Sequence, residues 1–111
     1  MKAKTKGPSA PHGLPVEARA WWERLQKGYV IVDEGGLALL EQAARSFARV
    51  EAARKILDAD GLVLADRFGQ QRAHPAAAIE RDARSGLLQA LKALGLDLDV
   101  AATGLPGRGH R

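Results

Sequence analysis

The sequence predicts a mainly α-helical chain: an N-terminal helix, then two long helices forming an antiparallel hairpin, with a small β-hairpin inserted between them. Three observations carry this expectation. Of 51 hydrophobic residues, 21 are alanine and 15 leucine, against nine valines and isoleucines and five aromatics, a balance that favours helix over sheet. Apolar residues recur at spacings of three and four over two long stretches, the period of an amphipathic helix. Between these stretches lies one short apolar run followed by turn residues, the pattern of a small hairpin.

Residues 1–15 contain Gly7, Pro8, Pro11, Gly13 and Pro15, which disfavour regular structure and predict a flexible arm. A short helix follows over about 16–27. Pro15 suits its opening and Glu17 the positive end of its dipole. Trp21, Trp22 and Leu25 supply an apolar face and Gly28 stops it. Two adjacent tryptophans point about 100° apart on a helix, so one enters a core while the other lies at its edge or in an interface. Tyr29 to Val32 reads as an extended connector and Asp33 to Gly36 as a turn.

Leu37, Leu40, Ala43, Ala44, Phe47, Val50 and Leu57 then mark a long helix ending near Asp60, with Gly61 as its C-cap. At 1.5 Å per residue it is a rod of roughly 36 Å, too long for so small a monomer to cover throughout. Leu62 to Leu64 reads as a strand, Asp66 to Gly69 as a turn and Gln70 to Arg72 as a return strand. His74-Pro75 halts the hairpin and opens the last helix, whose face is Ile79, Ala83, Leu87, Leu91 and Leu94 up to Gly95. A short connection makes the long helices antiparallel neighbours. Phe47, Val50 and Leu57 should therefore meet Ile79, Ala83 and Leu87, leaving Ala43, Ala48, Ala52, Ala53 and Ala76 to Ala78 for the approach of other helices. Residues 16–95 form one domain and 96–111, rich in glycine, a flexible tail. Alanine buries little area, so a monomer has a thin core and self-association is expected.

Composition excludes several function classes. The chain has no cysteine, hence no disulfide framework and no thiolate metal site. His12, His74 and His110 lack the i, i+4 spacing of a helical zinc pair and have no acids clustered with them in the sequence. Ser9, Ser46 and Ser85 sit in no nucleophile elbow. The Gly104 to Gly109 run lacks the Lys-Ser/Thr of a phosphate loop. An enzyme is not expected, nor any cofactor or metal. No apolar run reaches the 18 to 20 residues of a membrane span, so no membrane partner is expected and the location is cytoplasmic.

The net charge is +4, and its excess sits mainly in the N-terminal arm, where Lys2, Lys4 and Lys6 meet no acid. Such a segment attracts a polyanion through counterion release. Arg19, Arg24 and Lys27 on the first helix and Arg67 and Arg72 in the hairpin are further candidates for phosphate contact. No clear helix-turn-helix is present, so these cations track a backbone rather than read bases. Trp21, Trp22, Leu40, Phe47, Val50, Leu57, Ile79, Leu87 and Leu91 are candidates for core or oligomer packing. Arg45, Arg49 and Glu80 are candidates for fixing subunit register. A helical coiled-coil adaptor that binds no DNA shares all these features except the use of the cations.

The order of features resembles the small terminase subunits of tailed bacteriophages, in particular the HK97-type group, over about residues 14–98. The likeness rests on the Trp22, Glu23, Leu25 helix, the glycine before a short connector, and the alanine-rich helix from Ala53 to Gly61. It continues through the polar hairpin ending His74-Pro75-Ala76 and a last helix running Ile79-Glu80-Arg81-Asp82-Ala83 to Leu91-Lys92-Ala93-Leu94-Gly95-Leu96. The resemblance implies a non-catalytic DNA-packaging component in a bacterial host cell. It implies a homo-oligomeric ring that engages double-stranded DNA and regulates the ATPase and nuclease of a large terminase subunit.

Overall fold

The computed structural model describes residues 7–96. Its elements are, in order, α1 (Val16–Tyr29), α2 (Glu34–Asp60), β1 (Val63–Ala65), β2 (Gln71–Ala73) and α3 (Pro75–Leu94). The fold is mainly helical, with α2 as a central rod of about 40 Å that packs against α3 and, less extensively, against α1. The expected tail beyond residue 96 lies outside the described residues.

The first helix runs further than its glycine predicts. Gly28 lies inside α1, and the left-handed cap is Val30, with φ 49° and its N–H donating to the Gln26 carbonyl at 2.9 Å. A β-branched residue is strained in that region, and Gln26 holds it there. The Gln26 side chain is buried, its Oε1 accepting the Ile31 N–H at 2.6 Å and its Nε2 donating to the Ile31 carbonyl at 2.8 Å. This double bond to one residue's backbone resembles a rung of an antiparallel ladder. It folds the expected extended connector back on α1 and drives Ile31 into the core.

The same glutamine receives the N-terminal segment. Gly7 lies so close to the Gln26 carboxamide that a Cβ at position 7 would overlap it. The Pro8 carbonyl accepts the Trp22 indole N–H at 2.9 Å, and Leu14 is buried. Residues 7–14 are therefore a strap laid on α1, so the arm expected over 1–15 has its second half packed. Prolines set this path without regular structure, and one indole and one apolar anchor fasten it.

Asp33 caps α2, its carboxylate accepting the Gly36 N–H at 2.9 Å. The cap starts α2 at Glu34, so Gly35 and Gly36 belong to its first turn and not to a preceding loop. His74 caps α3 in the same way: its Nδ1 accepts the Ala76 N–H at 3.0 Å, while its Nε2 lies 2.9 Å from Asp60 at the end of α2. A ring nitrogen that accepts leaves the proton on the other, so Nε2 donates to Asp60. The acid that pairs with this histidine is fourteen residues away in the chain, beyond the reach of a spacing argument.

Two packed regions result. Leu14, Ala18, Trp22, Ile31, Leu40 and Ala44 form one cluster, edged by Trp21, Phe47 and, from the far end of α3, Leu94. The seam between α2 and α3 is made of small residues: Ala43, Val50 and Ala53 are buried on α2, and Ala76, Ala83 and Ala90 on α3. Gly86 on α3 faces Ser46 on α2, where an added Cβ would sit 3.5 Å from its Oγ. This corrects two expectations. The alanines at 43, 53 and 76 are spent inside the monomer, and Ile79 is 52% exposed because two helices meeting through alanine leave a bulky side chain at the margin. Glu80 bridges the helices, pairing with Arg84 at 3.0 Å and reaching Arg54 at 3.7 Å.

These contacts give a direct test by urea denaturation. Gln26→Leu leaves the buried Ile31 N–H and carbonyl without partners and is expected to lower stability by about 3 kcal/mol. Val30→Gly relieves the left-handed strain and is expected to raise it by about 1 kcal/mol after the added chain entropy is set against the gain.

Candidate functional site

The candidate cations form two groups, one along α1 and one in the β-hairpin that follows α2. Arg19, Arg24 and Lys27 are exposed on α1, and at 100° per residue they span an arc of about 140° on the side turned from α2. None makes an ion pair among the described residues. Lys2, Lys4 and Lys6 lie outside the described residues, but Gly7 fixes where their segment joins the domain: beside Gln26, one residue from Lys27. Glu17, at the other end of α1, pairs with Lys55 of α2 at 2.8 Å. That hydrogen bond holds the Glu17 carboxyl below its ordinary pKa and the Lys55 amine above its own, and it ties the start of α1 to the later part of α2, as antiparallel packing requires.

The second group is in the β-hairpin, which follows the C-terminal end of α2. β1 and β2 pair Val63 with Ala73, Leu64 with Arg72 and Ala65 with Gln71. The His74 N–H extends the ladder to the Leu62 carbonyl at 2.8 Å. Asp66 organises the tip: its carboxylate accepts the Phe68 N–H at 2.8 Å and the Gln70 N–H at 2.9 Å, and pairs with Arg72 at 3.2 Å. Gly69 closes the turn at φ 80°, a conformation suited to glycine. The Gln70 and Phe68 amides, with Arg72 behind them, hold the Asp66 carboxyl below its ordinary pKa. Arg72 is thus largely neutralised, while Arg67 has no carboxylate among the described residues and lies 5.2 Å above the Phe68 ring.

The packing candidates divide by burial. Trp22, Leu40 and Val50 are buried, and Trp21, Phe47, Leu57, Leu87 and Leu91 are half-buried. Trp21 stacks on Phe47 with ring centres 5.0 Å apart and planes 8° from parallel, so both tryptophans serve packing. Only Ile79 of this set is offered to solvent. The larger apolar surface is one that periodicity did not single out: Leu62, Val63, Leu64 and Phe68 of the hairpin, with Ile56 nearby on α2, are all exposed. The signal was present, since three consecutive apolar residues in an isolated hairpin cannot all be covered by it.

Among the described residues no group of three or more His, Asp or Glu side chains is placed to hold a metal ion. No helix among them is long and apolar enough to cross a membrane. The Asp66 loop carries a pH prediction. A carboxyl whose folded pKa is depressed stabilises the folded form above its ordinary value and loses that effect as pH falls through the depressed one. The Phe68 and Gln70 amide resonances should hold constant down to about pH 4 and move only below the ordinary aspartate value of 3.8. Asp66→Asn should abolish that acid transition.

A family model described as phage terminase, small subunit, matches residues 18–101, more than half of the chain. No curated protein and no solved structure matches it. The matched stretch begins in the first turn of α1 and includes α2, the hairpin and all of α3, so it takes in the whole helical frame described above. The chain belongs to the phage terminase small-subunit family.

Proposed function

We propose that the chain is a non-catalytic small subunit of a viral or prophage-derived DNA-packaging motor, of the HK97-type group, working in the bacterial cytoplasm. It assembles as a homo-oligomeric ring, engages double-stranded DNA, and regulates the large terminase subunit that carries the ATPase and nuclease. The observation that carries this reading is the family match across the helical frame.

Two features support the finer parts. The hairpin leaves Leu62, Val63, Leu64 and Phe68 all exposed, divided between its two faces, and so much uncovered apolar surface on one small element supports an association role. The α1 cations face solvent beside the point where the lysine-bearing segment joins. In this reading Lys2, Lys4 and Lys6 work with Arg19, Arg24 and Lys27, and Arg67, which has no carboxylate partner among the described residues, is the contribution of the hairpin. Contacts of this kind are sequence-independent and sensitive to salt.

The test is a titration of the full chain with duplex DNA at low and moderate salt. Changing Lys2, Lys4 and Lys6 together to alanine should weaken binding and lower the slope of log affinity against log salt by about 2 to 3, as expected for three lost phosphate contacts. An unchanged affinity and slope would show that the lysines only solubilise the chain. Absence of duplex binding by the unaltered chain at both salts would favour a helical adaptor.

A further inference from the structure

The exposed hairpin tip and an empty groove elsewhere on the same molecule are complementary. Phe68 is 78% exposed yet rigidly presented, because the Asp66 carboxylate fixes its backbone and that of Gln70. Both strands are exposed along their whole length. A two-stranded hairpin is marginal by itself in water, so this one gains most from a surface that covers it. The tip carries a net positive charge, since Asp66 and Arg72 neutralise each other and Arg67 remains.

The groove lies between the start of α1 and the middle of α2. Its floor is Pro15, Ala18, Ala48 and Ala52, and its volume is about 130 Å³. An apolar cavity of about 150 Å³ accommodates a benzene ring, so this space suits one phenyl group. The rim holds Glu51 and the Glu17–Lys55 pair. Glu51 pairs with Arg54 at 3.4 Å, both side chains being partly exposed, and helps to raise the pKa of Lys55, so the lining itself carries two carboxylates against one amine. Alanine floors the groove because α1 and α2 meet through small residues there, while the bulkier Trp22 and Leu40 fill the core further along.

We propose that Phe68 of one copy seats in the α1–α2 groove of a second copy of this chain, with Arg67 paired to that copy's Glu51, and that this junction repeats around the assembly. The proposal rests on the ring reading above and specifies its interface. Knob and groove are different surfaces, so the contact is heterologous: each copy offers its knob to one neighbour and its groove to the other, which produces a closed ring or a filament rather than a symmetric dimer. A buried aromatic backed by an arginine is also the composition of an interface hot spot.

Light scattering on the full chain at two concentrations tests it, with circular dichroism to show that helicity is kept. The unaltered chain should give a mass of several subunits. Phe68→Ala removes the knob and Ala52→Arg, at an exposed position, blocks the groove; each should fall to monomer mass. Mixed in equal amounts, they retain one good knob and one good groove between them and should give twice the monomer mass. Arg67→Glu should lower the mass, and Glu51→Arg in the same chain should restore it. If Phe68→Ala keeps the mass of the unaltered chain, or if the mixture stays monomeric, the knob-and-groove junction is wrong while the ring reading stands. If the unaltered chain is itself monomeric at both concentrations, the ring reading fails and takes the junction with it.

Discussion

One buried carboxamide holds the N-terminal third of this molecule together. Gln26 spends both polar atoms of its side chain on the backbone of Ile31, and its carbonyl accepts the strained Val30. Those three bonds reverse the chain tightly enough to lay α1 antiparallel on α2. They also leave a flat amide face against which Gly7 packs. The position of the N-terminal segment, the burial of Ile31 and the exposure of the α1 cations therefore share one cause. A leucine of similar size fills the space but strands two buried backbone groups, which is far costlier than losing a solvent-exposed bond.

The second constraint is the scarcity of large side chains. Helices that meet through Ala43, Ala53, Ala76, Ala83 and Ala90 approach closely, but each alanine removes little area from water. The seam is accordingly narrow, and Ile56, Ile79 and Leu88 are left exposed at its margins. The hairpin compounds this by carrying further apolar residues away from the body of the fold. A chain that keeps its small residues inside and much of its bulky apolar surface outside is built to complete its packing with other molecules. Under the proposed ring, the supplier of that packing would be neighbouring copies.

Much of this was legible in the sequence. The two long amphipathic periods gave the helical pair, and His74-Pro75 and Gly61 marked the ends of the hairpin. The errors share a physical origin in side chains that act on distant backbone. Gly28 looked like a helix stop because nothing local shows that Gln26 will carry α1 past it. Asp33 to Gly36 looked like a turn because Gly35 and Gly36 are poor helix formers, and the Asp33 cap overrides that preference. Ile79 fits the helical period as well as Ala83 does, but periodicity does not say that small residues will win the seam. The His74 and Asp60 partnership depends on a helix end and a hairpin end meeting in space. The candidate cations were identifiable one at a time, whereas their separation onto α1, packed alongside α2, and the hairpin beyond the end of α2 came only from the fold.

That separation gives the account its shape. In the proposed ring each copy would present its α1 cations to solvent while its hairpin joins a neighbour. Closure distinguishes a packaging ring from the filament that the same heterologous contact could build. Electron microscopy of the negatively stained full chain reads closure directly. Rings of one subunit number, seen end-on, are the predicted result. Fields of monomers or of open filaments would contradict the account.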